Sequence, residues 1–139
     1  MSELPGHPPR VDFVDHVAVA VHDADAALPY YVSRLGLKVV GDEEADDPGV
    51  RLTYLDGGNV LIQLVQPLRP GPVADFLRTR GEGLHHLCFN VERIEPVLGA
   101  LSGEEGAKIF AGGRGRRACF LLHEPNGVRV ELTEREPLA

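Results

Sequence analysis

Two imidazoles, a carboxamide and a carboxylate recur at matching places along this 139-residue chain. His16 stands in "VDHVAVAV" (14–21) and His86 in "LHHLCFNV" (84–91), 70 residues later. Gln63 stands in "VLIQLV" and Glu131 in "VRVELT", 68 residues apart. Taken singly, each has a plain reading: a hydrogen-bonded core histidine, or a polar strand residue facing water. Taken together they are a mixed nitrogen and oxygen donor set. Such a set suits Mn²⁺, Co²⁺, Ni²⁺, Fe²⁺ or Zn²⁺ better than Ca²⁺ or Mg²⁺. Four protein ligands leave open coordination positions, which distinguish catalytic from structural metal sites.

The elements that must carry these residues follow from hydrophobic period. Both histidine segments alternate with period two and read as strands. Val17, Val19 and Val21 share one face, and His16, Ala18 and Ala20 the other. Leu87, Phe89 and Val91 repeat the bulky face; His86, Cys88 and Asn90 repeat the small or polar one. His85 falls with the bulky set, as a strand-end residue near the core rim. "DADAALPYYVSRLGL" (23–37) predicts a helix capped by Asp23 or Asp25 and stopped at Gly36. Its counterpart is "VERIEPVLGALSGEEGA" (91–107). Three strands follow each helix, with "DGGN" and "EPNG" as turns before the last strand. In "VLIQLV", Gln63 opposes Ile62 and Leu64; in "VRVELT", Glu131 opposes Val130 and Leu132. Each half is therefore β-α-β-β-β. The boundaries are a loose tail at 1–10, a first module at 11–68, a linker with one short helix at 69–83 and a second module at 84–136. Together they form one compact α+β domain.

Composition narrows the function classes. A net charge of −7 opposes non-specific nucleic-acid binding. No apolar run approaches a membrane span, and "MSELPGHPPR" has no apolar signal core, which predicts a cytoplasmic protein. Cys88 and Cys119 lie within apolar runs and read as reduced core residues. The acidic run "GDEEADD" (41–47) reads as a solvated loop.

The arrangement resembles the vicinal oxygen chelate superfamily over about residues 11–135. Within it, "DHVAVAVHDADAALPYY", "NVLIQLVQPL", "VADFLRTRGEGLHHLCFNV" and "GVRVELTE" are similar to segments of the methylmalonyl-CoA epimerases. The resemblance implies two βαβββ modules pairing into an open, barrel-like sheet around a metal cleft, commonly in a homodimer. It implies His16, Gln63, His86 and Glu131 as ligands of a divalent ion (Co²⁺, Mn²⁺, Ni²⁺ or Zn²⁺), with Glu131 also acting as base. An acyl-CoA substrate would lose its α-proton to give an enolate and regain it on the opposite face. Relatives often carry a second Glu in a "GV-x-E" context, where this chain has Leu52. Tyr54, two residues on, or a bound water is then the expected second proton carrier. Arg114, Arg116 and Arg117 in "GGRGRR" would hold CoA phosphates. The same residues admit rivals: a glyoxalase I-type isomerase, an Fe²⁺ dioxygenase, or a metal-free drug-binding protein.

Overall fold

Period-two alternation in the sequence becomes strand in a computed structural model, which describes residues 10–46 and 49–136. The expected tail therefore lies outside the described residues except for Arg10. The elements run β1 (Phe13–Ala20), α1 (Ala24–Leu28), β2 (Lys38–Ala45), β3 (Val50–Asp56), β4 (Leu61–Pro67) and α2 (Pro72–Arg80). They continue with β5 (Gly83–Val91), α3 (Ile94–Ala100), β6 (Ile109–Ala111), β7 (Arg117–Phe120) and β8 (Val130–Glu134). The α+β class and the twice-repeated β-α-β-β-β order match the expectation.

The chain divides into two compact units. One is Val14–Cys88; the other contains the described residues before and after it. In the first unit the strand order is β2-β3-β4-β1-β5. β1 and β4 are parallel, with Ala18 opposite Gln63. β3 and β4 are antiparallel, with Tyr54 opposite Gln63. The small face of β1 is the more deeply covered one. Ala18 and Ala20 join Val50, Leu52, Tyr54 and Val65 beneath α2, which contributes Val73, Phe76 and Leu77. Alanines suit this face because they let α2 approach the sheet closely. Val19 and Val21 serve the other face, with Ala24, Leu55 and Leu64. Each fully buried leucine there contributes roughly 1.5–3 kcal/mol.

α1 is shorter than the expected 23–37 helix. The Asp23 side chain caps it by accepting from Asp25 N. Pro29 then removes a backbone donor, and Pro29–Arg34 continues as a wider π turn in which Leu35 N donates to Tyr30 O. Gly36, at φ +78°, ends it in the left-handed region. The acidic run is a correction. Gly41–Ala45 is part of β2 rather than a loop, because Arg51 on β3 forms a two-pronged pair with Asp42 across the ladder. Charged side chains on an outer strand also discourage unwanted pairing.

In the second unit the strand order is β8-β7-β6. Val91, Ile94, Val97, Cys119 and Leu132 form its core. α3 stops at Ala100, short of the expected 107. Leu101 is extended, and Gly103 takes φ +87°, outside helical geometry. Glu104 secures the following turn: its buried carboxylate accepts from Leu122 N and His123 N.

Candidate metal centre

On β1, Asp15 and His16 are adjacent and both buried, 7% and 3% exposed. His16 Nδ1 lies 2.7 Å from Asp15 Oδ2. A carboxylate can only accept, so Nδ1 carries a proton, and in the neutral ring Nε2 keeps its lone pair. That Nε2 lies 3.3 Å from Nε2 of His86 on β5. The other nitrogen of the second ring, His86 Nδ1, lies 2.8 Å from His85 Nδ1. Two imidazole nitrogens, each about 2.1 Å from one ion and roughly 100° apart at it, stand about 3.2 Å from each other. The observed pair has that spacing.

Gln63, on β4 beside β1, is 4% exposed. Its Nε2 donates to the Tyr54 hydroxyl at 3.1 Å. Its Oε1 is buried and, among the described residues, accepts no hydrogen bond. A carbonyl-type oxygen left this way costs about 1–3 kcal/mol unless something electropositive reaches it. Lone pairs on two imidazoles and an orphaned amide oxygen fit a divalent ion on chemical grounds. They do not fit an anion.

Asp15, His16 and Cys88 also place ligand atoms within 4.8 Å of one another. The Asp15 oxygen is committed to His16 Nδ1, so this group reads as support for the imidazole rather than as a separate site. Alternation alone does not reveal Asp15 or His85 as partners of the ligands. It sends neighbouring side chains to opposite faces, whereas here each polar side chain turns toward the histidine that follows it. The available signal was a polar residue inside an apolar strand, directly before a histidine, in both repeats. His85 is also deeper than a rim position: it is 8% exposed and packs edge-on against Phe76 of α2, with ring centroids 4.8 Å apart.

Glu131 belongs to the second unit. It is buried on β8, opposite Phe120 of β7. Its charge is felt by Cys119, whose thiol is pushed up to about 12, first by burial and then by Glu131. Cys119 is therefore inert as a nucleophile at neutral pH.

The remaining expected residues fall as follows. Tyr54 is 2% exposed, and its ring fills the space left by Gly41 of β2, where a Cβ would stand 3.2 Å from Tyr54 Cδ2. Leu52 is buried in the apolar cluster beneath α2. Arg117 is engaged by Glu95 and Glu134. Arg117 also holds the Glu95 carboxyl down, to about 2. Arg114 and Arg116 lie half-buried in a tight turn between β6 and β7, where Gly112 N donates to Arg116 O. Among the described residues, no helix is long and apolar enough to cross a membrane.

Comparisons with known proteins bear on the family and the fold. Residues 15–120 match the model of the glyoxalase/bleomycin resistance protein/dioxygenase superfamily. The ethylmalonyl-CoA/methylmalonyl-CoA epimerase of Cereibacter sphaeroides is 35% identical over 130 residues, covering 87% of this chain and 96% of that one. The crystal structure of methylmalonyl-CoA epimerase from Mycobacterium tuberculosis superposes with a TM-score of 0.81 at 33% identity, covering 91% of this chain and 90% of that one. A Streptomyces coelicolor methylmalonyl-CoA epimerase variant, in complex with 2-nitronate-propionyl-CoA, gives a TM-score of 0.80 at 29% identity, covering 94% and 100%.

Proposed function

The chain belongs to the glyoxalase/bleomycin resistance protein/dioxygenase superfamily, and from that premise we propose that it is a metal-dependent epimerase of methylmalonyl-CoA. Relatives of that activity at 30–35% identity support the reaction class. The observation that carries the metal dependence is the orphaned Gln63 Oε1, in the unit that also holds the two facing imidazole nitrogens. In this reading His16, His86 and Gln63 hold the ion. Glu131, equivalent to Gln63 in the repeat, is the fourth ligand.

Epimerisation requires that an α-proton leave one face of the substrate and return to the other. Its removal sends an electron pair toward the thioester oxygen. A divalent ion held by these residues, Co²⁺, Mn²⁺, Ni²⁺ or Zn²⁺, supplies the electrophile that lowers the cost of that charge. Gln63 contributes an oxygen without a second negative charge, which preserves that electrophilic character. Glu131 takes and holds the proton on one face. Leu52 cannot move a proton, and the Tyr54 hydroxyl already accepts from Gln63. The hydroxyl keeps its own proton while accepting, so Tyr54 or a water is the carrier on the opposite face. Arg114 and Arg116 are the residues of "GGRGRR" offered to CoA phosphates; Arg117 is held by its carboxylates. A homodimer in the cytoplasm completes the reading.

The test is isotope exchange. Incubated with methylmalonyl-CoA and Co²⁺ in D₂O, the protein should place deuterium at the α-carbon far above background. No incorporation would overturn the epimerase reading. Oxygen uptake with a catechol substrate would instead support the dioxygenase chemistry that His16, His86 and Glu131 could also serve.

A further inference from the structure

Each metal-facing side chain in the Val14–Cys88 unit has its other polar atom engaged. His16 Nδ1 is held by Asp15, 2.7 Å away. His86 Nδ1 is held by His85, 2.8 Å away. Gln63 Nε2 is held by the Tyr54 hydroxyl, 3.1 Å away. All six residues are buried. Asp15 and His85 occupy the same place in the two repeats, each one residue before its histidine.

We propose that Asp15, His85 and Tyr54 are positioning residues that determine which atom of each ligand faces the ion. This rests on the metal-dependent reading above and goes beyond it. Asp15 acts by removing an alternative outright, whereas His85 and Tyr54, which can donate or accept, act through the accepting role they take here. A neutral imidazole has one lone pair, which moves between nitrogens with the tautomer. Asp15 can only accept, so it fixes the His16 proton on Nδ1 and the lone pair on Nε2. With His86 Nε2 turned to the ion, the proton of that ring sits on Nδ1 and His85 Nδ1, 2.8 Å away, accepts it. The His85 ring then carries its own proton on Nε2. A carboxamide can rotate by half a turn and present its NH₂, which repels a cation. The Tyr54 oxygen, accepting from Nε2, leaves Oε1 as the exposed end.

The two imidazoles are not equivalent. His16 is polarised by an anion and His86 by a neutral ring, so His16 is the stronger donor. The double histidine thus has separate tasks: the second imidazole faces the ion and the first orients it. Tyr54 is itself held in place by sequence. Gly41 leaves the space its ring occupies, and the β3–β4 register sets its hydroxyl opposite Gln63.

The test measures Co²⁺ affinity by competition with a chelator, together with the visible Co²⁺ absorption of the loaded protein. The wild type is expected to take up one Co²⁺ per chain. Asp15→Leu and Tyr54→Phe should each weaken binding by about 10–100-fold. Asp15→Asn is nearly isosteric but can donate as well as accept, so it no longer fixes the His16 tautomer and should also weaken binding, by more than about threefold. Tyr54→Phe should also shift the visible bands, because the amide no longer presents a fixed oxygen. A purely structural loss would leave the bands of the loaded fraction unchanged. Should Asp15→Leu fail to fold, Tyr54→Phe, which deletes one oxygen, decides the matter. Wild-type affinity and spectrum in Tyr54→Phe and Asp15→Leu would overturn the inference and leave the metal reading standing. So would an Asp15→Asn protein with wild-type affinity. A wild type that takes up no Co²⁺ would overturn the metal reading, and this inference with it.

Discussion

A buried amide oxygen without a hydrogen bond destabilises the fold, and Gln63 Oε1 is such an atom. Leucine fills nearly the same volume and brings no oxygen to satisfy. Gln63→Leu therefore separates stability from binding by their signs. Without metal, its urea midpoint should equal or exceed that of the wild type, by up to about 1 kcal/mol. The Tyr54 hydroxyl loses the Gln63 donor, which limits the gain. With Co²⁺ present, the wild type should gain stability and the variant little. Paired urea titrations with and without Co²⁺ read both effects. A variant much less stable than the wild type in the absence of metal would show that Gln63 belongs to the packing rather than to a site.

The same economy operates between elements, where the last strand of each repeat caps the helix of that repeat. Gln66, at the end of β4, accepts through Oε1 from Ala24 N, 2.8 Å away, at the start of α1. Glu134, at the end of β8, accepts through Oε2 from Ile94 N, 3.0 Å away, at the start of α3. Ala24 and Ile94 are fully buried, so neither amide can turn to water. α3 needs this help because its N-cap is Arg93, which makes no side-chain cap. α1 also has Asp23. Glu134 additionally receives Arg117 Nη1 at 2.9 Å. Losing Glu134 therefore strands the Ile94 amide and leaves Arg117 with Glu95 alone, whereas losing Gln66 strands one amide of a helix that also has Asp23. Glu134→Ala should cost about 1–3 kcal/mol and Gln66→Ala about 1 kcal/mol, measured as shifts in the urea midpoint at unchanged slope. Equal costs would indicate that Glu95 alone satisfies Arg117. A Glu134→Ala protein as stable as the wild type would remove the cross-element cap from the account.

At the scale of the whole molecule, the features legible in the sequence are those written twice. His16 with His86, and Gln63 with Glu131, occupy equivalent strand positions, so period and parity placed them before any contact was known. The strands and turns were legible for the same reason. Features that depend on a neighbour's identity were not. The acidic run became strand because Arg51, diagonally across the ladder, pairs with Asp42. The helix after β1 changed pitch at Pro29, and α3 stopped early among glycines. Asp15 and His85 could not be assigned as partners by parity, because their side chains bend along the strand. A bound ion should register in the stability of the entire chain. A ligand that binds the folded state alone adds about 2.7 kcal/mol when its free concentration is a hundred times its Kd. For a chain of 139 residues, that corresponds to a rise in Tm of roughly 5–15 °C. The rise should grow logarithmically with Co²⁺, vanish on addition of EDTA, and be absent for Mg²⁺ at equal concentration, since imidazoles disfavour that ion. Scanning calorimetry across a Co²⁺ series measures it. A Tm independent of Co²⁺, or one raised equally by Mg²⁺, would mean that the paired imidazoles and the orphaned amide do not form a selective site.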